Sequence, residues 1–307
     1  MASLNLRPID PSSSSSRKSK AKAKAIPSAS TLKPWDFSYS PSADGYDKNL
    51  LIMFHGLGDS KIPFFNLAKQ LNLPSTAVLS LSAPDPIPLM DHPSFSWYPT
   101  FTPTYDPLPV ENHNPTTHLP KLRALITKLI SPEVGWELNQ IHLFGFAQGG
   151  TMVLELGLSV GKDPLSPAIS SSSSSSSGES TGSRSKGKAG DGKGDSRKVG
   201  RFGSITSICG PILTHPTTNL NIQTPICYFT RYTLTSSVYK KQITILKRAF
   251  KEVIELHAPS SSSGGVERMP GNKEEWWGIM RFWGQILNRK SDDEGWKGSG
   301  EVYEVIR

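Results

Sequence analysis

Apolar and polar positions follow two alternating rhythms along the chain. Leu50-Leu-Ile-Met-Phe54 is an unbroken apolar run ending at His55-Gly56, the pattern of a strand buried on both faces. Residues 61–72 then place Ile62, Phe65, Ala68 and Leu71 at helical spacing. Ala77-Val-Leu-Ser-Leu81 reads as the next strand and ends at Ala83-Pro84. After a Pro-rich loop, Leu119 to Ile130 is amphipathic through Leu122, Leu125, Ile126 and Leu129. Ile141-His-Leu-Phe-Gly-Phe146 is again strand-like and turns at once into a helical Gln148–Val160. Further on, Gly203–Cys209 and Pro225–Phe229 are strand-like, and Lys240–His257 and Lys273–Asn288 are helical in pattern. Asn272 followed by Glu275 fits an N-cap with a capping box. Strand and helix alternating at this spacing predict an α/β fold, with a mostly parallel central sheet and helices on both faces.

Low-complexity segments divide the chain. Ser12 to Ser16 lies in a basic N-terminal stretch, and eight serines from Ser170 to Ser177 open a Gly/Ser/Lys-rich stretch to about Gly200. A shorter tract, Ser260–Ser263, precedes Gly264-Gly265. Such composition buries too little apolar surface to offset chain entropy, so disordered segments are expected there. The expected organisation is a basic tail over 1–33, a domain over 34–290 interrupted by an insertion at 161–200, and a tail over 291–307. The interruption is tolerable because closure entropy grows only logarithmically with loop length.

Charge changes this picture little. The net charge of +8 resolves into +6 over residues 1–33, +4 over 161–201 and −2 elsewhere, so the part expected to fold is slightly acidic. The basic tail fits an electrostatic contact, a nuclear address, a solvated tail or a mitochondrial presequence, and gives no case for specific nucleic-acid binding. No run approaches the roughly 18 apolar residues of a membrane span, and Met1 to Asp10 has no apolar signal core. Two cysteines, Cys209 and Cys227, both in strand-like segments, exclude a disulfide scaffold and a cysteine zinc site. The expectation is a cytoplasmic or nuclear protein without a cofactor. Asp91-His92 and Glu111-Asn112-His113 are too scattered to hold a metal.

Two segments carry candidate chemistry, each at the carboxyl end of an expected strand, where α/β sheets place ligands. One is His55-Gly56-Leu57-Gly58-Asp59. The other is Gly145-Phe146-Ala147-Gln148-Gly149-Gly150. With Ser96-Trp97-Tyr98 between them, they resemble motifs of the acyl-protein thioesterase and phospholipase/carboxylesterase family of α/β-hydrolases. The resemblance covers about 50–160 well and 201–290 weakly. It implies an oxyanion-hole loop after the first core strand and a nucleophile elbow after the other. It further implies that the backbone N–H groups of Leu57 and Gln148 face the reacting oxygen, that His55 is structural, and that Trp97 borders the pocket. Gly56, Gly58, Gly145 and Gly149 are the motif glycines.

The chain departs from that pattern at all three catalytic positions. Ala147 stands where the family has its nucleophilic serine. The loop matching the family's acid reads Thr230-Arg-Tyr-Thr-Leu-Thr-Ser-Ser-Val238, and no Asp or Glu occurs between Asp195 and Glu252. The segment matching the family's histidine, Arg268-Met-Pro-Gly-Asn272, has none. The resemblance with these losses implies a non-catalytic or impaired member that binds an acyl or ester ligand, an acylated protein or another protein partner. Two other readings stand beside it. One is a carboxylic ester or thioester hydrolase with relocated machinery, drawing on Ser60 or Ser96 with His92 or His113. The other is a scaffold whose pocket has filled. On the last helix Trp276, Met280, Trp283 and Leu287 share a face, leaving Trp277 and Phe282 to be covered elsewhere or exposed.

Overall fold

The computed structural model describes residues 24–104, 106–165, 200–258 and 267–288, with the backbone of Asn5–Pro8 and Tyr303–Ile306, which pair antiparallel. Apart from those two strands, the tail up to residue 23, the insertion over 166–199, the Ser260–Ser263 tract and the stretch after 288 lie outside the described residues. Residues 24–33, placed in the tail by composition, pack on the domain instead. Ala25 N–H donates to the Val134 carbonyl at 3.2 Å, and Leu32 is fully buried in the core. One buried leucine in a Ser/Lys-rich window is invisible to composition.

Seven strands build the central sheet: β1 (Phe37–Ser40), β2 (Asn49–Phe54), β3 (Thr76–Leu81), β4 (Ile141–Phe146), β5 (Ser204–Ile208), β6 (Ile226–Thr230) and β7 (Val253–His257). Their order is β7-β6-β5-β4-β2-β3-β1, parallel throughout except where β1 pairs antiparallel with β3. Parallel strands require crossovers: the helices α1 (Lys61–Leu71), α2 (Leu119–Leu129), α3 (Gln148–Lys162) and α4 (Ser237–Ala249) supply four, residues 209–225 join β5 to β6 without a helix, and α5 (Lys273–Ile286) follows β7.

The apolar run of β2 feeds both faces. Leu50, Ile52 and Phe54 join the core layer beneath α2, α3 and α4, while Leu51 and Met53 join the layer under α1 and α5. Such double coverage is why the strand reads as continuous rather than alternating. On α5, Ile279, Phe282, Trp283 and Leu287 are buried, Trp276 and Met280 are half-buried, and Trp277 is 65% exposed. The last helix therefore inserts a wider stripe than the four-residue face expected, taking in Phe282. The amide of Asn49 bonds the Asn288 backbone in both directions at 2.9 Å, which ties the end of α5 to the start of β2.

Two elements differ from the expected pattern. Lys240–His257 is not one helix: α4 ends at Ala249, Phe250 is extended, and Val253–His257 forms the edge strand β7. Its register on β6, from Val253 opposite Ile226 to His257 opposite Thr230, decides the matter, because a waiting strand edge outweighs local helix propensity. Strand β1 was not expected, being four residues between loops with its partner supplied from β3.

Candidate functional site

The sheet's carboxyl edge holds both motifs. At the end of β4 the chain turns through Ala147 with φ 47° and ψ −114° and enters α3 at once. An L-residue there stores about 1–3 kcal/mol of strain, tolerated only where its surroundings impose it. Ala147 N–H donates to the Ile208 carbonyl at 2.8 Å, and its own carbonyl accepts from Thr151 N–H at 3.0 Å. The flanking glycines are steric necessities. A Cβ on Gly145 would lie 2.2 Å from the Gly149 carbonyl oxygen, and one on Gly149 would lie 2.4 Å from that of Phe54. Ala147 is buried, with a methyl group at the apex of this turn.

Across from it runs the loop after β2. His55 is fully buried; its Nε2 accepts the Ala83 N–H at 2.9 Å, so the proton sits on Nδ1 and is donated to the Gly56 carbonyl at 2.6 Å. Burial holds its pKa below the ordinary histidine range, which keeps the ring neutral. Both nitrogens are thus spent on backbone. Gly58, at φ 80°, lets the loop turn, and its N–H donates to the Phe95 carbonyl at 3.0 Å while Phe95 N–H donates to the Asp59 carbonyl at 3.1 Å. Among the described residues, the backbone N–H groups of Leu57 and Gln148 have no protein acceptor. The Gln148 N–H also carries the positive end of the α3 dipole.

The Gln148 side chain points elsewhere. Its Oε1 accepts Trp97 N–H at 2.9 Å and the Ser96 hydroxyl at 3.3 Å, and its Nε2 donates to the Tyr98 carbonyl at 2.9 Å. Trp97, expected at the pocket, is a core residue instead. It is fully buried, its ring centre lies 4.8 Å from that of Phe54, and its indole N–H donates to the His55 carbonyl at 2.8 Å. An aromatic that large is worth more as the brace holding two motif loops together than as a lining.

Where the resemblance locates the acid, the chain has Arg231. Its guanidinium is buried and makes a fork on Glu275, Nη1 to Oε1 at 2.9 Å and Nη2 to Oε2 at 2.8 Å. It also donates from Nε to the Arg268 carbonyl at 3.1 Å and from Nη2 to the Met269 carbonyl at 3.0 Å, both in the segment matched to the family's histidine. The loops that should carry acid and base are therefore stapled to each other. Glu275 reaches Gly271 N–H at 2.7 Å rather than closing a reciprocal box, while the Asn272 side chain accepts Glu275 N–H at 2.9 Å as an N-cap should. Of the expected cap and capping box the cap is present; the sequence signal for the pair is a basic residue directly after β6 in an acid-free stretch.

No described serine of the carboxyl edge is bonded to a histidine ring. The Ser96 hydroxyl donates to the Tyr98 carbonyl at 2.6 Å, and Ser60 meets Asp59 only through its N–H, at 2.8 Å. His113 bonds the Leu108 carbonyl at 3.2 Å, and the His92 carbonyl accepts from the Ser94 hydroxyl. One serine-to-imidazole bond is found among the described residues, Ser204 to His142 Nδ1 at 2.8 Å. It lies fully buried at the amino ends of β4 and β5, with the His142 pKa pushed down to about 4 by desolvation and then by Arg201. Cys209 sits one residue past β5 at φ 56°, its thiol raised to about 11 by burial; Cys227 lies in β6, fully buried and raised to about 12. Among the described residues no group of three His, Cys, Asp or Glu side chains could hold a metal.

Beside Leu57 opens an apolar groove of about 510 Å³, walled by Ile87, Leu89, Met90 and Phe101 and by prolines 86, 88, 99 and 103. Its inner wall is a short hairpin, Asp85–Pro86 against Phe95–Ser96. In the sequence this segment is a Pro-rich loop, and the apolar run Ile87-Pro-Leu-Met90 within it is the signal for the groove.

Sheet order, elbow and facing glycine loop define an α/β-hydrolase fold. A crystallised esterase, PE8, superposes with a TM-score of 0.57 at 17% identity, covering 82% of this chain and 99% of its own. Acyl-protein thioesterase 2 of Zea mays superposes at 0.51 with 14% identity over 82% and 99%. At such identities the likeness is one of fold. The phospholipase/carboxylesterase family model matches residues 41–188. An uncharacterized hydrolase of Mycosarcoma maydis is 29% identical over 290 residues, 91% of each chain. One of Schizosaccharomyces pombe is 32% identical over 118 residues, 36% of this chain and 47% of its own. The chain thus has an α/β-hydrolase fold, and its residues 41–188 are similar to the phospholipase/carboxylesterase family.

Proposed function

We propose that this chain is a member of the phospholipase/carboxylesterase family that binds an acyl or ester group without forming an acyl-enzyme. The carbonyl or carboxylate oxygen takes the Leu57 and Gln148 N–H groups, and the chain lies in the groove beside Leu57. The observation that carries this reading is Ala147. The elbow keeps its strained backbone and its glycine packing, yet presents a methyl group, which has no lone pair with which to attack a carbonyl. The Arg231–Glu275 pair supports it, since the acid and base loops are committed to one another. Oriented donors and an apolar trough are what remains for ligand recognition.

The test joins two assays on pure protein. A fluorescent long-chain acyl probe should bind saturably, and binding should fall when Leu57 is replaced by proline, which removes one donor. Hydrolysis of a nitrophenyl ester and of an acyl thioester should stay at the level of heat-treated protein. Turnover clearly above that level, with labelling by a fluorophosphonate, would overturn the reading in favour of a hydrolase with relocated residues. Absence of both binding and turnover would leave a scaffold.

A further inference from the structure

The segment that builds the groove carries charge of one sign. Between Lys69 and Lys121 there are four acids, Asp85, Asp91, Asp106 and Glu111, and no Lys or Arg. Asp85 bonds His118 Nε2 at 2.9 Å, and the other three are exposed. Two of these sit on the groove wall: Asp91 directly follows Met90, and Asp106 N–H donates to the Thr102 hydroxyl at 3.0 Å. A further acid stands at the inner end. Ile208, whose carbonyl holds the Ala147 N–H, is followed by Cys209, and the Cys209 thiol donates to the Arg268 carbonyl at 3.9 Å. That contact carries Glu267 to the elbow. Glu267 is open to solvent, yet the crowding around its carboxyl pushes its pKa up. Its charge adds to burial in raising the Tyr98 phenol to about 12 and the Cys209 thiol to about 11. Tyr98 is anchored by the Gln148 side chain and leads into Pro99 and Thr100 of the groove, so the carboxylate stands where elbow and groove meet.

The cations of this edge do not offset these acids. Lys61 is paired with Asp36 and Arg231 with Glu275, and Arg268 leans on the same Glu275 at 3.8 Å. Lys240 and Lys241 lie on α4, beyond the end of β6, three strands from β2 in the sheet order. That is about 14 Å along the sheet, past the roughly 8 Å screening length of physiological salt. We propose that the site selects its acyl ligand by charge: the acyl group must arrive on an uncharged or cationic carrier, and free carboxylates and anionic carriers are refused. A carboxylate seated on the Leu57 and Gln148 N–H groups faces Glu267 with no free cation between them, whereas an ester carbonyl brings only a dipole. With the chain in the groove, the carrier leaves past Glu267, where a quaternary ammonium is attracted. The inference rests on the acyl-binding reading and narrows it to esters, thioesters and amides.

Displacement of an uncharged fluorescent acyl ester from the full chain tests this. Work at pH 8 keeps ordinary carboxyls charged and ordinary imidazoles neutral. The competitors are decanoate, methyl decanoate and the choline ester of the same acid. The choline ester should bind about threefold tighter than the methyl ester, and the methyl ester about tenfold tighter than decanoate. Glu267→Gln should bring decanoate to within about threefold of the methyl ester. Glu133→Gln, the same charge change on an exposed residue of the turn after α2, should leave every ratio unchanged. Raising NaCl from about 0.02 to about 0.3 M should shrink the wild-type ratios. Equal affinity for decanoate and methyl decanoate overturns the charge selection and leaves acyl binding standing. An ester preference that ignores both salt and Glu267→Gln also overturns it, assigning the preference to shape. So does a Glu267→Gln protein that loses affinity for all three competitors alike, which makes the residue a structural one. A wild type that binds neither probe nor competitor overturns this inference together with the acyl-binding reading.

Discussion

A few single atoms decide most of what this molecule can do. Gly149 accepts no side chain, because a Cβ would meet carbonyl oxygens of Phe54 and His55 at 2.4 and 2.5 Å on the core strand. Gly149→Ala should therefore cost more than about 3 kcal/mol in urea unfolding or prevent soluble folding. Gly58→Ala, with open space around it but φ 80°, should cost only about 1 kcal/mol. The Arg231–Glu275 fork behaves differently again. Arg231→Met strands a buried carboxylate and should lose about 3–5 kcal/mol, whereas Arg231→Met with Glu275→Leu should recover much of that loss. His142 gives a pH signature. Its folded pKa, about 4, lies below the ordinary value of 6.5, so the unfolded chain binds the proton more readily. Its contribution is intact above pH 6.5 and lost as pH falls towards 4, about 3 kcal/mol in all. Urea midpoints at pH 7 and 4.5 should fall further apart in the wild type than in His142→Gln.

At the scale of elements, the chain announced what repeats and hid what is borrowed. The strands β2, β3, β4, β5 and β6 and the helices α1, α2, α3 and α5 were legible because their apolar period is set by burial on one face or two. Strand β7 was not, since Val253–His257 continues the apolar spacing of α4 and becomes a strand only through the β6 edge. The candidate site divides in the same way. The elbow and oxyanion loop are read from contiguous residues, His55-Gly-Leu-Gly-Asp59 and Gly145 to Gly150. Trp97 and the Arg231–Glu275 fork take their roles from partners far along the chain, which spacing does not reveal. On α5 the two kinds of tryptophan can be separated by experiment. Trp283→Ala empties a core position and should lose more than about 3 kcal/mol, while Trp277→Ser should fall within about 0.5 kcal/mol of wild type. Asn272→Ala should cost about 1 kcal/mol as a lost cap.

For the molecule as a whole, the folded part begins earlier than composition suggests. A chain starting at Pro34 lacks Leu32 from the core, and should melt below one starting at Lys24 by the equivalent of about 2–4 kcal/mol. Among the described residues no helix is long and apolar enough to cross a membrane. The Arg231–Glu275 fork also has a mechanical consequence. Through the Arg268 and Met269 carbonyls it ties the loop after β6 to the segment ahead of α5, so the two loops share one anchor and a change at either partner loosens both.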